Sequence, residues 1–180
     1  HGITDCSSWY NFEGGQNNSR DDYCKYVAKL GDDQLSLMGF NGIETQNNGY
    51  TSVQQSLNFY LAVGDGFVDW VRYDDLANKQ RVNGSFESIY TNMDAFAALD
   101  QSGSIAVSGE VECGGQDGDQ PQEEGYETIA SSLCAFAALK NGQISSWGLD
   151  SFGGGQIPTH SNVTQLFSNW GAFAALQDNG

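Results

Sequence analysis

Residues 134–158 read CAFAALKNGQISSWGLDSFGGGQIP, and the pentapeptide AFAAL inside them recurs at 95–99 and again at 172–176. Self-similarity at a regular spacing decides an architecture before any local reading does. Ahead of the three copies stand FESIYTNMD at 86–94, YETIASSLC at 126–134 and VTQLFSNWG at 163–171. Each runs from an aromatic or apolar residue through two polar and two apolar residues to a small polar turn. Two looser copies share the template, FYLAV at 59–63 behind YTSVQQSLN, and YVAKL at 26–30. After four of the five anchors comes a Gly or Asp turn and an alternating, strand-like segment: NGQISSWG, SGSIAVSG, GDGFVDWV and GDDQLSLMG.

Anchors begin at 26, 59, 95, 135 and 172, at steps of 33, 36, 40 and 37, and the return step across the termini is 34. The fifth anchor is followed only by QDNG, while HGITDCSSWYNFEGGQ at 1–16 matches GQISSWGLDSFGGGQ at 142–156 down to a Trp followed by Gly-Gly-Gln. Residues 1–180 therefore read as a single repeat domain of five units with a cyclic start point. The expected fold is all-β, a small β-propeller of five short blades whose terminal blade is shared between the N- and C-terminal segments. A β-sandwich is one alternative. An open β-solenoid is another, although it needs polar end caps that the sequence does not show. AFAAL is expected as the innermost or second strand of each blade, its alanines permitting close approach.

The pattern of a small residue, an A/L strand, a Gly turn, SSWG and a Gly-Gly loop resembles the regulator-of-chromosome-condensation-like propeller repeat. It is most similar to the short FAAL…G…SWG…GG variety of microbial and algal surface proteins. The resemblance is strong over about 86–176 and weak over 1–80. It implies a propeller fold. The nuclear exchange-factor role of that family is not implied, because it requires a basic chromatin-facing surface.

This chain has the opposite charge: 7 basic against 23 acidic residues give a formal −16. Such a surface repels phosphate backbones and anionic lipid, so neither nucleic acid nor membrane is an expected partner. No run approaches the ~20 apolar residues of a membrane span. A composition of 39% hydrophobic and 17% charged residues suits a packed core, and 23 glycines with 2 prolines suit short strands and tight turns. The chain starts at His1 without an initiator Met, as expected after removal of a signal peptide or from inside a precursor, and secretion is the working expectation. Sequons at Asn17, Asn83 and Asn162 agree with it.

In a secreted chain, four cysteines imply two disulfides. Cys24 and Cys134 stand just before anchors, and Cys6 and Cys113 lie in the strand-to-loop part of the preceding unit. Pairing Cys6 with Cys24 and Cys113 with Cys134 gives two equivalent staples. Metal binding by these cysteines lacks the CxxC spacing. No GxSxG, HExxH or Walker motif occurs, the histidines are His1 and His160 alone, and the chain is read as non-enzymatic with no cofactor. Acid pairs at Asp21-Asp22, Asp32-Asp33, Asp74-Asp75 and Glu123-Glu124 read as solvated. A copper site at His1 and a calcium site at Asp117 and Asp119 are the minority metal readings.

The stronger candidates are the loops that place an aromatic or acid ahead of Gly-Gly-Gln: Trp9 to Gln16, Glu110 to Gln116 and Trp147 to Gln156. Recurring on one face, they are expected to offer shallow sugar sites through aromatic stacking and amide or carboxylate hydrogen bonds. The competing reading makes Trp9, Trp70 and Trp147 blade core and the glycines turn formers. Three functions follow in order: a structural or adhesive block of an extracellular assembly, by self-association or by contact with matrix or surface glycans; a multivalent lectin; and a secreted enzyme.

Overall fold

The computed structural model describes residues 50–75, 77–155, 157 and 161–178, with the backbone of three earlier strands. The first sheet holds β1 (Tyr26–Lys29), β2 (Gln34–Gly39) and β3 (Gly42–Asn47). The second holds β4 (Tyr50–Gln55), β5 (Phe59–Gly64), β6 (Phe67–Arg72) and β7 (Gln80–Asn83). The third has β8 (Phe86–Thr91), β9 (Ala95–Asp100) and β10 (Ile105–Gly109). The fourth has β11 (Thr128–Ser131), β12 (Ala135–Lys140) and β13 (Gln143–Gly148), and the last has β14 (Val163–Ser168) and β15 (Phe173–Gln177). The chain is all-β, each repeat unit makes its own antiparallel sheet, and within a sheet every strand pairs with its neighbour in sequence.

Short connections make this possible. Asn141 and Gly142 join β12 to β13 with φ of 50° and 74°, the two positive angles of a type I′ turn, whose twist matches that of the flanking strands. Asn is among the few residues with a Cβ that accept such an angle, which is why the turn reads KNGQ. Between β9 and β10, the Asp100 carboxylate accepts from the Ser102 and Ser104 amides at 2.8 and 2.9 Å.

AFAAL is the middle strand. β9 pairs with β8 on one side and β10 on the other, and β12 sits likewise between β11 and β13. Alternation sends Phe96 and Ala98 to one face, where they pack with Phe59, Leu61 and Val68 of the second sheet. Ala95, Ala97 and Leu99 go to the other face and pack with Phe136, Ala138 and Trp147 of the fourth. Residues 95–98 and 135–138 are all 0% exposed. A strand covered on both faces has no position for a polar side chain, so the alternating pattern gives way to a continuous apolar run. Small alanines let the sheets approach closely enough for Phe96 and Phe136 to fill the space between them, and each buried Phe is worth roughly 1.5–3 kcal/mol.

β15 carries the same five letters in a different setting. Among the described residues it pairs with β14 alone, and Ala172, Ala174, Ala175 and Leu176 are exposed, Leu176 at 44%.

One further feature ties units together and another stiffens a single sheet. The structure joins Cys113 to Cys134, 21 residues on, tying the loop that leaves β10 to the residue before β12, as the repeat predicts. The Cys6–Cys24 pairing lies outside the described residues. In the second sheet Asp69 is fully buried, yet Arg81 grips both its oxygens at 2.6 and 2.8 Å, the Tyr50 hydroxyl donates to it at 2.5 Å, and Lys79 lies at 3.1 Å. Burial pushes the Asp69 carboxyl up, but the hydrogen bonds from Arg81, Tyr50 and Lys79 outweigh it and hold the group below its ordinary value.

Candidate functional site

The expected loop sites fall into two kinds. Trp147 is only 4% exposed, stacks on Phe136 at 5.3 Å between ring centres, and donates its indole N–H to the Gly114 carbonyl at 3.2 Å. It is core, and the expectation that it lines a ligand site is corrected. Its register explains why: Trp147 pairs with Phe136 across β12 and β13, which places both rings on the face that meets the third sheet. Trp70 also serves the sheet-to-sheet contact, its indole donating to Ser108 at 2.8 Å.

The glycines of the Gly-Gly loops serve packing as well. After β10 a 3₁₀ turn at Val111–Cys113 ends in left-handed Gly114, and after β13 the turn at Asp150–Phe152 ends in left-handed Gly153. The next glycine then crosses back over its own strand end. A Cβ on Gly115 would stand 2.6 Å from the Gly109 nitrogen and Cα, and one on Gly154 would stand 2.9 Å from the Leu149 nitrogen. Glu110 and Gln116 are exposed at the ends of this loop. Glu110 reaches Arg72 at 3.8 Å, beside Asp74 at 2.9 Å and Asp94 at 3.3 Å from the same guanidinium. Trp9, Gln16 and Gln156 lie outside the described residues, as do His1, His160 and the Asn17 sequon. Asn83 and Asn162 are exposed.

A different set of equivalent positions converges. The four described turns that lead into anchor strands use the same backbone bond: Ser56 N–H to Phe59 O at 2.9 Å, Asn92 to Ala95 at 2.9 Å, Ser132 to Ala135 at 3.0 Å and Asn169 to Ala172 at 3.0 Å. Asn92 and Asn169 also cap the strand, each accepting from the amides two and three residues on. Adjacent turns are then bonded to each other. The Met93 amide donates to Leu133 O and the Leu133 amide to Trp170 O, both at 3.0 Å, and the Ser56 hydroxyl donates to Asn92 O.

The four turns line one open concavity of about 690 Å³. The residue after each capping Ser or Asn is apolar: Leu57, Met93, Leu133 and Trp170. Leu57 is 68% exposed and Trp170 is 76% exposed. Sequence reasoning passed over these residues because each is a single apolar letter in a polar turn. The signal was there in SLN, NMD, SLC and NWG, four apolar letters at one repeat position.

Among the described residues no three His, Cys, Asp or Glu side chains gather as a metal site. Asp117 instead accepts from Gln120 at 2.8 Å, and Gln120 also reaches Ile105 O at 3.3 Å, which fastens the loop to β10. Glu123 pairs with Lys140 at 2.6 Å. No helix among the described residues is long and apolar enough to cross a membrane.

No protein-family model matches the chain, and no curated protein matches it. Solved structures do. The chain is similar to human WBSCR16 with a TM-score of 0.54 at 14% identity, over 85% of this chain and 57% of that one. It therefore shares a fold with that protein while spanning little more than half its length. Looser matches are the computationally designed Ika8 protein, with a TM-score of 0.46 at 14% identity over 85% of this chain and 55% of that one, and Kluyveromyces lactis Hsv2, with 0.45 at 14% over 73% and 46%.

Proposed function

We propose that the five sheets are blades of a small propeller of the regulator-of-chromosome-condensation-like kind, and that the chain is a secreted, non-enzymatic structural or adhesive module. Residues 1–16 supply the third strand of the last sheet in this reading. The observation that carries it is the contrast between β15 and its two sequence copies. β9 and β12 each hold a third strand on the edge that β15 leaves without a partner among the described residues, and each is covered on both faces. A bare edge beside an apolar face is costly to leave in water and prone to pair with another chain. The segment matching β13 is 1–16, and docking it within one chain avoids the entropy lost on association. Pairing between copies satisfies the same bonds and yields a head-to-tail assembly.

Deleting residues 1–16 and measuring urea stability and solution mass tests the closure. The equivalent pairing of β12 with β13 spans six residues. At about 1 kcal/mol per ladder bond, its loss should cost about 5 kcal/mol and leave a chain that associates. A truncated chain that is as stable as the intact one and still monomeric overturns the shared blade.

A further inference from the structure

We infer that the concavity walled by the four anchor turns is a binding site for an uncharged saccharide, with the Trp170 indole as its stacking platform. The inference does not depend on how the last blade is completed, because every wall residue used here belongs to the second to fifth sheets.

Three observations carry it. The first is the repeated apolar position. In a chain of net charge −16, a turn residue facing water has every reason to be polar, yet Leu57, Met93, Leu133 and Trp170 are apolar in all four described turns. The turn fold itself does not ask for this, since its bonds use the backbone and the Ser or Asn that precedes. Leu57 and Trp170 are exposed and Met93 and Leu133 half-buried, and an apolar cluster of this kind in a concave surface marks a place where something binds.

The second observation is the polar complement. The first residue of each turn is Gln55, Thr91, Ser131 or Ser168, and all four line the concavity. The hydroxyls of Thr91, Ser131 and Ser168 make no hydrogen bond to a described residue, whereas one position on Ser56 donates to Asn92 O, Asn92 to Cys113 O and Ser132 to Phe152 O, and the Asn169 oxygen accepts from two amides. Spare hydroxyls beside aliphatic and aromatic surface match a pyranose ring, which offers an apolar face of C–H groups and an equatorial rim of hydroxyls.

The third is charge. All of the described lining residues are uncharged, on a protein where 17% of residues carry charge. Among the described lining residues none would pair with a phosphate, a carboxylate or a cation, which favours a neutral ligand. A volume of about 690 Å³ sits in the range of small-molecule sites, ~300–1,000 Å³, and admits a short oligosaccharide. The walls are also rigid, because the turns are bonded to one another through Met93, Leu133 and Trp170, so little ordering is left for binding to require.

The test titrates the intact protein with cellotriose, N,N′,N″-triacetylchitotriose and trigalacturonate, by calorimetry and by indole fluorescence. Saturable binding of at least one neutral trisaccharide, with none of trigalacturonate, is expected. Trp170→Ala should weaken it about three- to tenfold, the loss of one aromatic stacking contact. Trp170 is largely exposed, so this variant should keep the parent's unfolding midpoint. Ser131→Ala with Ser168→Ala supplies a second variant that leaves the indole in place and should also weaken binding. No response to either neutral sugar, equal affinity for trigalacturonate, or binding unchanged in Trp170→Ala overturns the assignment. So does a surface that binds the neutral apolar peptide acetyl-Leu-Leu-Phe-amide and no sugar, which makes it a protein-docking face.

Discussion

Replacing Gly115 by Ala separates the two meanings that a Gly-Gly loop can have. If the glycines exist to let a ligand approach the backbone, an added methyl costs binding and leaves the fold alone. The geometry says otherwise. A Cβ at Gly115 would stand 2.6 Å from the Gly109 nitrogen and Cα and closer still to its carbonyl carbon, and these backbone atoms are held in the ladder to Ala95. The loop must lift away. Lifting it breaks the bonds from the Gly115 amide to Glu110 O at 2.9 Å, from the Asn92 side chain to Cys113 O at 2.8 Å, and from the Trp147 indole to Gly114 O at 3.2 Å. Three bonds at about 1 kcal/mol each give a loss of about 3 kcal/mol. Gly118→Ala is the control: its φ is 106°, but nothing lies within 4 Å of an added Cβ, so only the conformational cost of about 1 kcal/mol applies. Urea unfolding followed by tryptophan emission reads both, with a midpoint shift of about 1–2 M expected for Gly115→Ala at a slope of ~2 kcal/mol per M. Gly154→Ala should repeat the result in the next unit. If Gly115→Ala unfolds with the parent or loses no more than Gly118→Ala, the loop does not cross its strand as described, and its glycines serve something else.

Other outcomes follow from the same contacts. Changing both Cys113 and Cys134 to Ser should cost about 3 kcal/mol, the entropy of opening a loop of this length, and non-reducing peptide mapping should find these two joined to each other. Asp69→Ala removes the acceptor of the buried Tyr50 hydroxyl and of Arg81, which together with Lys79 can then turn to water, and should cost about 2–3 kcal/mol at neutral pH. Because the folded Asp69 carboxyl lies below its unfolded value, its contribution is fully present above about pH 4 and fades as pH falls through the folded value. Asp69→Asn should therefore show a shallower acid loss of stability than the parent.

The repeat made the architecture readable at the level of units. AFAAL placed the middle strands, KNGQ placed a hairpin, and the position of Cys134 before its anchor selected its partner at Cys113. The orientation of side chains was harder to read. Trp147 looked like a loop platform because a Trp ahead of glycines fits both a sugar site and a sheet interface. Only its pairing with Phe136, and the neighbouring sheet over that face, decide between them. The anchor turns escaped notice for the opposite reason. Leu57 and Trp170 are unremarkable one at a time, and become a surface only when four turns are brought side by side.

The Cys113–Cys134 bridge has a mechanical consequence. A molecule pulled from its ends gives way where only non-covalent contacts join one sheet to the next, as they do where Leu133 meets Trp170. Between the third and fourth sheets the same pull meets a covalent bond, and the 21-residue span it closes cannot pay out. At ~3.4 Å per extended residue, that withholds about 70 Å of chain. Under tension in an oxidising medium the middle of the chain would hold while its flanks yield, and a reductant would turn the same segment into slack.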